Sequence, residues 1–391
     1  MLSMLSEDLV RRGHTVTVLA AVPHFPSGRV EERYRRGVWQ WSVENGVRVC
    51  RVRVPSGDRA SLCHRLWTFI VYQCLSTLAG LRLKYDVVLI TNPAIETFLP
   101  FIVLAWLRRK LAVFCVWDLY PEVGVQLGIF RSRVVIKLVK TLEDFCLRRA
   151  RWVQTLAEGF IPNLQLRAAS AERVVWIPPW LDTEFIRPMP RLNAFSHENG
   201  LDEVFVVLYA GNIGLSQGLE SVLDAARQLA ADASIRFVLV GDGPARTGLE
   251  ALAAEMGLSN VTFLPFQPRE RLPEVLASAD LALVSLLAGI GTGSLPSKTY
   301  TYLASGRAIL AITDEGSELW RLIERSQGGR CIRSGEPNSL AASVLDLKEN
   351  PKILEEMGWN GRQYVVAHHS RQSACEKFEM LLSAALEKKP A

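Results

Sequence analysis

Apolar positions in the first half of the chain fall into short β-branched runs, at 14–20, 85–90, 111–117, 151–156 and 173–178. Between them lie longer stretches with helical spacing, at 61–83, 95–107 and 133–149. That alternation predicts a parallel sheet covered by helices. A proline-rich stretch at 177–195 interrupts it, and the rhythm then restarts. Strand-like runs at 204–211, 236–243, 261–266, 281–287 and 308–313 alternate with helical segments at 218–231, 245–256 and 269–279. The expected architecture is α/β with two Rossmann-like domains: 1–180, a linker at 181–203, a second domain at 204–360, and a helix at 361–391 packing back on the first domain. The start breaks the pattern. "MLSMLSEDLVRRGH" is an amphipathic helix, whereas a domain of this kind opens on a strand and a tight glycine turn. The expectation is that the first strand and its loop are missing upstream; the alternative is a fold that begins on a helix.

Composition narrows the picture. The 391 residues exceed the size of one growing core, and 49% hydrophobic with 22% charged residues is a globular balance. The seven cysteines are scattered and never spaced as Cys-x-x-Cys, which suggests neither zinc nor a disulfide framework and fits a reducing cytosol. No apolar run reaches the roughly 18–20 residues of a membrane span, and no signal peptide is recognisable, so the chain is expected to be cytoplasmic. Charge is asymmetric: residues 1–190 carry 26 Lys and Arg against 16 Asp and Glu, whereas residues 191–391 carry 19 against 24. Basic clusters at Arg33, Arg35 and Arg36, at Arg48, Arg51 and Arg53, and at Arg108 to Lys110 are interleaved with tryptophans. They are either ordinary solvated arginines or a face resting on anionic lipid at the inner side of the plasma membrane. No nucleic-acid-binding motif accompanies them, so no nucleic-acid partner is expected.

Chemistry concentrates at three strand-to-helix junctions of the second half. "LYAGNIGLSQGLE" carries Gly211, Gly214 and Gly218, "LVGDGP" carries Gly241 and Gly243, and "GIGTGSLPSK" carries Gly289, Gly291 and Gly293. Glycines there let backbone N–H groups approach a phosphate, and the following helix adds its positive end. Neither a P-loop nor a Gly-x-Gly-x-x-Gly fingerprint is present. Lys298, after Ser297 at a helix start, opposes the helix dipole unless an anion compensates. It is either that anion's cation or a solvated first-turn lysine. No Asp-x-Asp motif or cluster of oxygen ligands suggests a metal.

In this order and spacing, "LVRRGHTVTVLA", "VWDLYPE", "IPPWLDTEFIRP", "YAGNIGLSQGLE", "LVGDGP", "VTFLPFQPRERL" and "LPSKTYTYLASGRAIL" resemble the GT4 family of GT-B glycosyltransferases. The likeness runs to the bacterial exopolysaccharide and lipid-linked-oligosaccharide branch and covers nearly the whole chain. It implies two Rossmann-like domains facing a cleft, with a UDP- or GDP-sugar held by the second domain and a lipid-linked saccharide acceptor by the first. It also implies transfer with retention and without a metal or other cofactor. Donor-binding positions are then Gly211, Asn212, Gln217, Gly218, Gly241, Gly243, Gly293, Ser294, Ser297, Lys298 and Thr301, with the base near Phe266 and Gln267. The chain departs from the pattern at two places. Gly293 and Thr301 stand where the family places two glutamates, and Asn212 and Gln217 stand where it places an arginine and a lysine.

On the acceptor side the resemblance points to Asp118 and Glu122, with Trp117 where the family often has His, and to His24 in a nearby loop. Asp118 either orients and deprotonates the acceptor hydroxyl or caps the following helix. His14 is expected to mark a structural turn, and His368 and His369 to be surface residues. Two other functions stay open: a nucleotide-sugar 2-epimerase, which would want carboxylates that are scarce here, and a non-catalytic sugar-nucleotide-binding protein.

Overall fold

The computed structural model describes residues 1–23, 30, 32–34, 37–55, 62–126, 130–168, 170–289 and 296–387. Its contacts divide the chain into two units, Met1–Pro179 with Ala374–Ala391, and Trp180–Ser373.

The first unit opens with α1 (Leu2–Arg11), which buries Leu5 and Leu9, and continues into β1 (Thr17–Ala21). A hairpin follows, β2 (Trp39–Glu44) and β3 (Val47–Val52), turning at Asn45 and Gly46, both at positive φ. β3 pairs antiparallel with β2 and parallel with β1, giving a three-stranded sheet in the order β1-β3-β2. Helix α2 (Leu62–Leu81) leads to β4 (Val87–Thr91), α3 (Ala94–Pro100), β5 (Leu111–Val116), α4 (Glu122–Gln126), α5 (Arg133–Arg149), β6 (Trp152–Thr155), α6 (Ile161–Ala168) and β7 (Val174–Trp176). Strands β4 to β7 form a second, fully parallel sheet in chain order. The helix expected over 95–107 changes winding at Pro100, whose missing N–H frees a carbonyl, and runs on as a wider π-helical turn, Phe101–Leu107. β1 and β4 end their sheets and are only half-buried, whereas β5 between two neighbours is almost wholly buried.

The second unit takes in the proline-rich segment. Ile186, Phe195 and Leu201 are buried in its core, and Asn193 caps α7 (Ala194–Glu198) by accepting from the N–H groups of Phe195 and Ser196. Arg191 fixes the segment to the sheet through Asp280, at 2.9 Å. Six parallel strands follow: β8 (Phe205–Ala210), β9 (Ile235–Val240), β10 (Val261–Leu264), β11 (Leu281–Ser285), β12 (Ile309–Ile312) and β13 (Gly329–Ile332). Their order is β10-β9-β8-β11-β12-β13. Alternation along each strand splits the core: Val207, Tyr209, Leu239 and Leu283 face one layer, while Val206, Leu208, Val238 and Val284 face the other. Helices α8 (Glu220–Gln228), α9 (Arg246–Glu255), α10 (Leu272–Ala277), α11 (Lys298–Ala304), α12 (Glu318–Ser326), α13 (Pro337–Glu349) and α14 (Pro351–His369) cover them. The last helix, α15 (Arg371–Glu387), belongs from Ala374 onward to the first unit, where Glu379 pairs with Arg12 at 2.7 Å.

Candidate functional site

In an open parallel sheet, ligands bind beyond the carboxyl ends of the strands where the strand order reverses. In the second unit that point lies among β9, β8 and β11, whose following loops are the glycine-rich ones. The loops after β8 and β9 touch backbone to backbone. A Cβ on Gly241 would lie 1.9 Å from the Gly211 carbonyl oxygen, and one on Gly243 would lie 2.3 Å from that of Ile213. Only glycine fits there. Ile213 N–H donates to Asp242 O at 2.8 Å, which locks the pair of loops. The loop after β11 joins them through Leu287 N–H to Ser216 O at 3.0 Å and Ser285 Oγ to Gln217 O at 2.6 Å. Gly218, at φ 57°, packs directly under Leu287. Asp314, just past β12, accepts from Gly289 N–H at 2.7 Å.

Lys298 opens α11 and reaches across the end of β8. Its Nζ lies 3.5 Å from the centroid of the Tyr209 ring, and a Cβ on Gly211 would be 3.2 Å from that same atom. This nitrogen is shielded from solvent and has no hydrogen-bond partner among the described residues. An aromatic face is a weak substitute for water or a carboxylate, and burial pulls the Lys298 pKa down to about 7. The mount beneath it is rigid. Tyr209 Oη donates to Asn212 O at 2.5 Å, and Tyr302 Oη accepts from Ala210 N–H at 2.6 Å, tying α11 to β8. Neither tyrosine was marked by the sequence, because both look like core positions on an apolar strand and helix.

The other donor-side candidates divide. Asn212 and Ser297 are exposed at the loop and helix start, and Phe266 and Gln267 follow β10, with Phe266 73% exposed. Gln217 is already used: its Oε1 accepts from Gly214 N–H at 2.9 Å and its Nε2 donates to Ser216 Oγ at 3.0 Å. Thr301 turns into its own helix, donating to Lys298 O at 2.8 Å. Gly291, Gly293, Ser294 and His24 lie outside the described residues.

In the first unit, Asp118 follows the carboxyl end of β5. Asn92 clamps this turn from the end of β4, its Oδ1 accepting from Trp117 N–H at 3.0 Å and its Nδ2 donating to Asp118 O at 2.6 Å. Partial burial holds the Asp118 carboxyl above its ordinary pKa. α4 begins only at Glu122, so the reading of Asp118 as a helix cap fails: its side chain stands too far ahead of the first turn's N–H groups. Glu122 faces Arg167 at 3.7 Å, and Arg167 also binds Asp144 at 2.7 Å. Beside them Glu143, pushed up to about 7 by burial, accepts from Ala94 N–H at 2.6 Å. His14 is structural, its Nε2 lying 2.9 Å from Glu379. The surface reading holds for His368 and fails for His369. His369 is 3% exposed, its ring 4.5 Å from that of Tyr300, because Leu181 pairs with this end of α14 and closes it in. Among the described residues no group of three or more His, Cys, Asp or Glu side chains is placed to hold a metal ion.

Residues 193–364 match the family model described as "Glycosyl transferases group 1", and residues 1–180 match a "Glycosyl transferase 4-like domain". A relative in Escherichia coli K12 named for colanic acid biosynthesis, the glycosyl transferase WcaI, is 28% identical over 95% of this chain and 92% of its own length. Among solved structures, sucrose-phosphate synthase from Thermosynechococcus elongatus superposes with a TM-score of 0.71 at 17% identity, covering 99% of this chain and 92% of that one. HepE from Anabaena, in complex with UDP, superposes with a TM-score of 0.70 at 16% identity, covering 95% of this chain and 100% of that one.

Proposed function

The chain belongs to the group 1 glycosyl transferases, GT4-type enzymes of the GT-B fold, and from that premise we propose that it transfers a sugar from a UDP- or GDP-sugar to a polyprenyl-linked saccharide in cell-surface polysaccharide synthesis. The observation that carries the donor half is Lys298: a shielded amine against the glycine loops with no hydrogen-bond partner among the described residues, which a diphosphate would hold in its charged form. That HepE was solved with UDP supports the same donor class.

In the proposed reaction the bond from the sugar's anomeric carbon to the diphosphate oxygen breaks, and the nucleoside diphosphate leaves with the electron pair. A new bond forms from that carbon to the acceptor hydroxyl oxygen on the same face, and the hydroxyl proton is lost. Lys298 and the loop amides stabilise the leaving diphosphate without a metal ion. The hydroxyl proton passes to Asp118, or to the departing diphosphate oxygen while Asp118 aligns the hydroxyl. The name of WcaI supports a polysaccharide acceptor, and the positive balance of residues 1–190 suits an acceptor presented at an anionic membrane face.

The test is incubation with a panel of UDP- and GDP-sugars, with and without polyprenyl-diphosphate-saccharides. Release of nucleoside diphosphate, accelerated by one lipid-linked acceptor with the sugar found on it, is expected. Interconversion of the donor with no release, or no reaction with any donor, overturns the proposal.

A further inference from the structure

Helix α2 (Leu62–Leu81) is amphipathic in the inverted sense. Tyr72, Gln73, Ser76 and Thr77 turn their polar side chains into the protein. Tyr72 Oη donates to Leu19 O at 3.3 Å, Gln73 Nε2 donates to Ile95 O at 3.1 Å, Gln73 Oε1 accepts from Leu99 N–H at 3.0 Å, and Ser76 and Thr77 are buried. Gly80 sits so close to Leu104 that a Cβ would meet its Cδ1 at 2.4 Å. These contacts fix which face looks outward, and that face is apolar: Leu66, Trp67, Ile70, Cys74, Leu78 and Leu81 are all exposed, Trp67 at 56% and Ile70 at 51%. The spacing places them on one stripe about 22 Å long. Leu99 and Leu107 on the neighbouring α3 and π-helical turn are exposed as well.

An isolated exposed leucine needs no explanation, but a continuous apolar stripe marks a contact surface. Its charge surroundings select the partner. α2 contains no Asp or Glu. At its C-terminal end stand Arg82, Lys84, Arg108, Arg109 and Lys110, with Arg108 tied to the helix end through Gly80 O at 3.2 Å and Leu83 O at 3.4 Å. An apolar stripe that carries an exposed tryptophan and ends in cations matches the boundary between acyl chains and anionic headgroups. A second copy of the chain would bring the same cations with no carboxylate on α2 to answer them. Among the described residues no helix is long and apolar enough to cross a membrane, and α2 is held by its polar face.

We propose that the outward face of α2 is a docking surface for an anionic phospholipid bilayer, lying in the interface with Trp67, Ile70 and Leu78 among the acyl chains. This deepens the reading of a lipid-linked acceptor and rests on it for its purpose, since a polyprenyl-linked saccharide is met only at such a surface.

The test is sedimentation of the full chain with vesicles of phosphatidylcholine alone or mixed with phosphatidylglycerol. Binding to the mixed vesicles, weakened by salt, is expected. Ile70→Glu combined with Leu78→Glu should lower the partition about a hundredfold, with the thermal transition and nucleotide affinity unchanged. Brominated acyl chains should quench the tryptophan emission, and Trp67→Phe should remove part of that quenching. Equal binding to both vesicle types, no loss in the double variant, or a change of oligomeric state on substitution with vesicle binding retained would each overturn the proposal. Neither donor nor acceptor is present, so the outcome is independent of the transfer assay. Vesicle binding without transfer to any lipid-linked acceptor would sink the acceptor reading and leave the docking surface standing.

Discussion

Lys298 is a buried amine that a bound anion would charge, and its lowered pKa fixes the sign of two pH effects. Its folded pKa of about 7 lies below the ordinary 10.5, so between those values the unfolded chain holds the proton more firmly. Stability of the ligand-free protein contributed by this group therefore rises as pH increases from about 7 to 10.5. A bound diphosphate favours the ammonium and lifts the pKa again, so nucleotide binding at pH 8 should take up nearly one proton and weaken as pH rises. Calorimetry in buffers of different ionisation enthalpy measures that uptake directly. Lys298→Met should abolish it and weaken UDP or GDP about ten- to a hundredfold, the loss of one charge-assisted contact. Uptake that persists in the variant would assign the proton to another group. Asp118 gives the complementary case. Asp118→Asn should lower kcat about 10²- to 10⁴-fold with donor affinity unchanged. The wild-type rate should fall as pH drops through the raised Asp118 pKa, because the carboxylate must be ionised to take a proton. A kcat profile that stays flat there in steady-state assays would rule out Asp118 as the proton acceptor. Lys298 was legible in the sequence because it opposes its own helix dipole; its seat on Tyr209 was not, since an aromatic in an apolar strand carries no mark of what lies above it.

At the scale of elements, the proposed donor site depends on how α11 is fastened to β8. Tyr302 is fully buried, and its hydroxyl is the partner of the Ala210 N–H at the strand end. Tyr302→Phe leaves that N–H unpaired in the core and should cost about 1–3 kcal/mol in denaturant unfolding. It should also speed amide exchange in the loop that follows Ala210. Unchanged stability would mean the strand end finds another acceptor. Gly241→Ala is the harsher test, since the added carbon would fall on a backbone oxygen that has no room to move. The strand rhythm of the sequence is close to what forms: the runs at 111–117 and 281–287 become Leu111–Val116 and Leu281–Ser285, and the helix over 133–149 matches Arg133–Arg149. Buried parallel strands are continuous apolar runs, which is why they stand out. The hairpin Trp39–Val52 was taken for basic clusters among tryptophans. Arginines alternate there with apolar residues, and the structure lays two of them on aromatic faces, Arg48 over Trp41 and Arg51 over Tyr34. The period of two is present in the sequence, but charged residues at alternate positions read as surface clusters rather than as a strand.

At the scale of the whole molecule, the proposed donor and acceptor roles fall on different units, and the charge asymmetry of the sequence follows the same division. The glycine loops, Lys298 and the exposed residues after β10 all belong to Trp180–Ser373. Asp118, the Asn92 clamp and the outward face of α2 belong to the other unit, within the half of the sequence that carries the positive excess. If the donor is held as proposed, hydrogen exchange with saturating UDP or GDP should slow at amides within 211–218 and 241–245, where N–H groups lie beside the site. Slowing is expected in the loop from Gly211, because a Cβ on Gly211 would lie 3.2 Å from Lys298 Nζ. Amides of β1 to β7 should keep their rates, since nothing in the proposed role of the first unit involves the nucleotide. Binding energy felt only by the liganded unit raises local opening free energy there and leaves the other's unchanged. Protection spread evenly over both units would mean that nucleotide binding tightens the whole chain. The donor would then be held by contacts beyond the loop amides and Lys298.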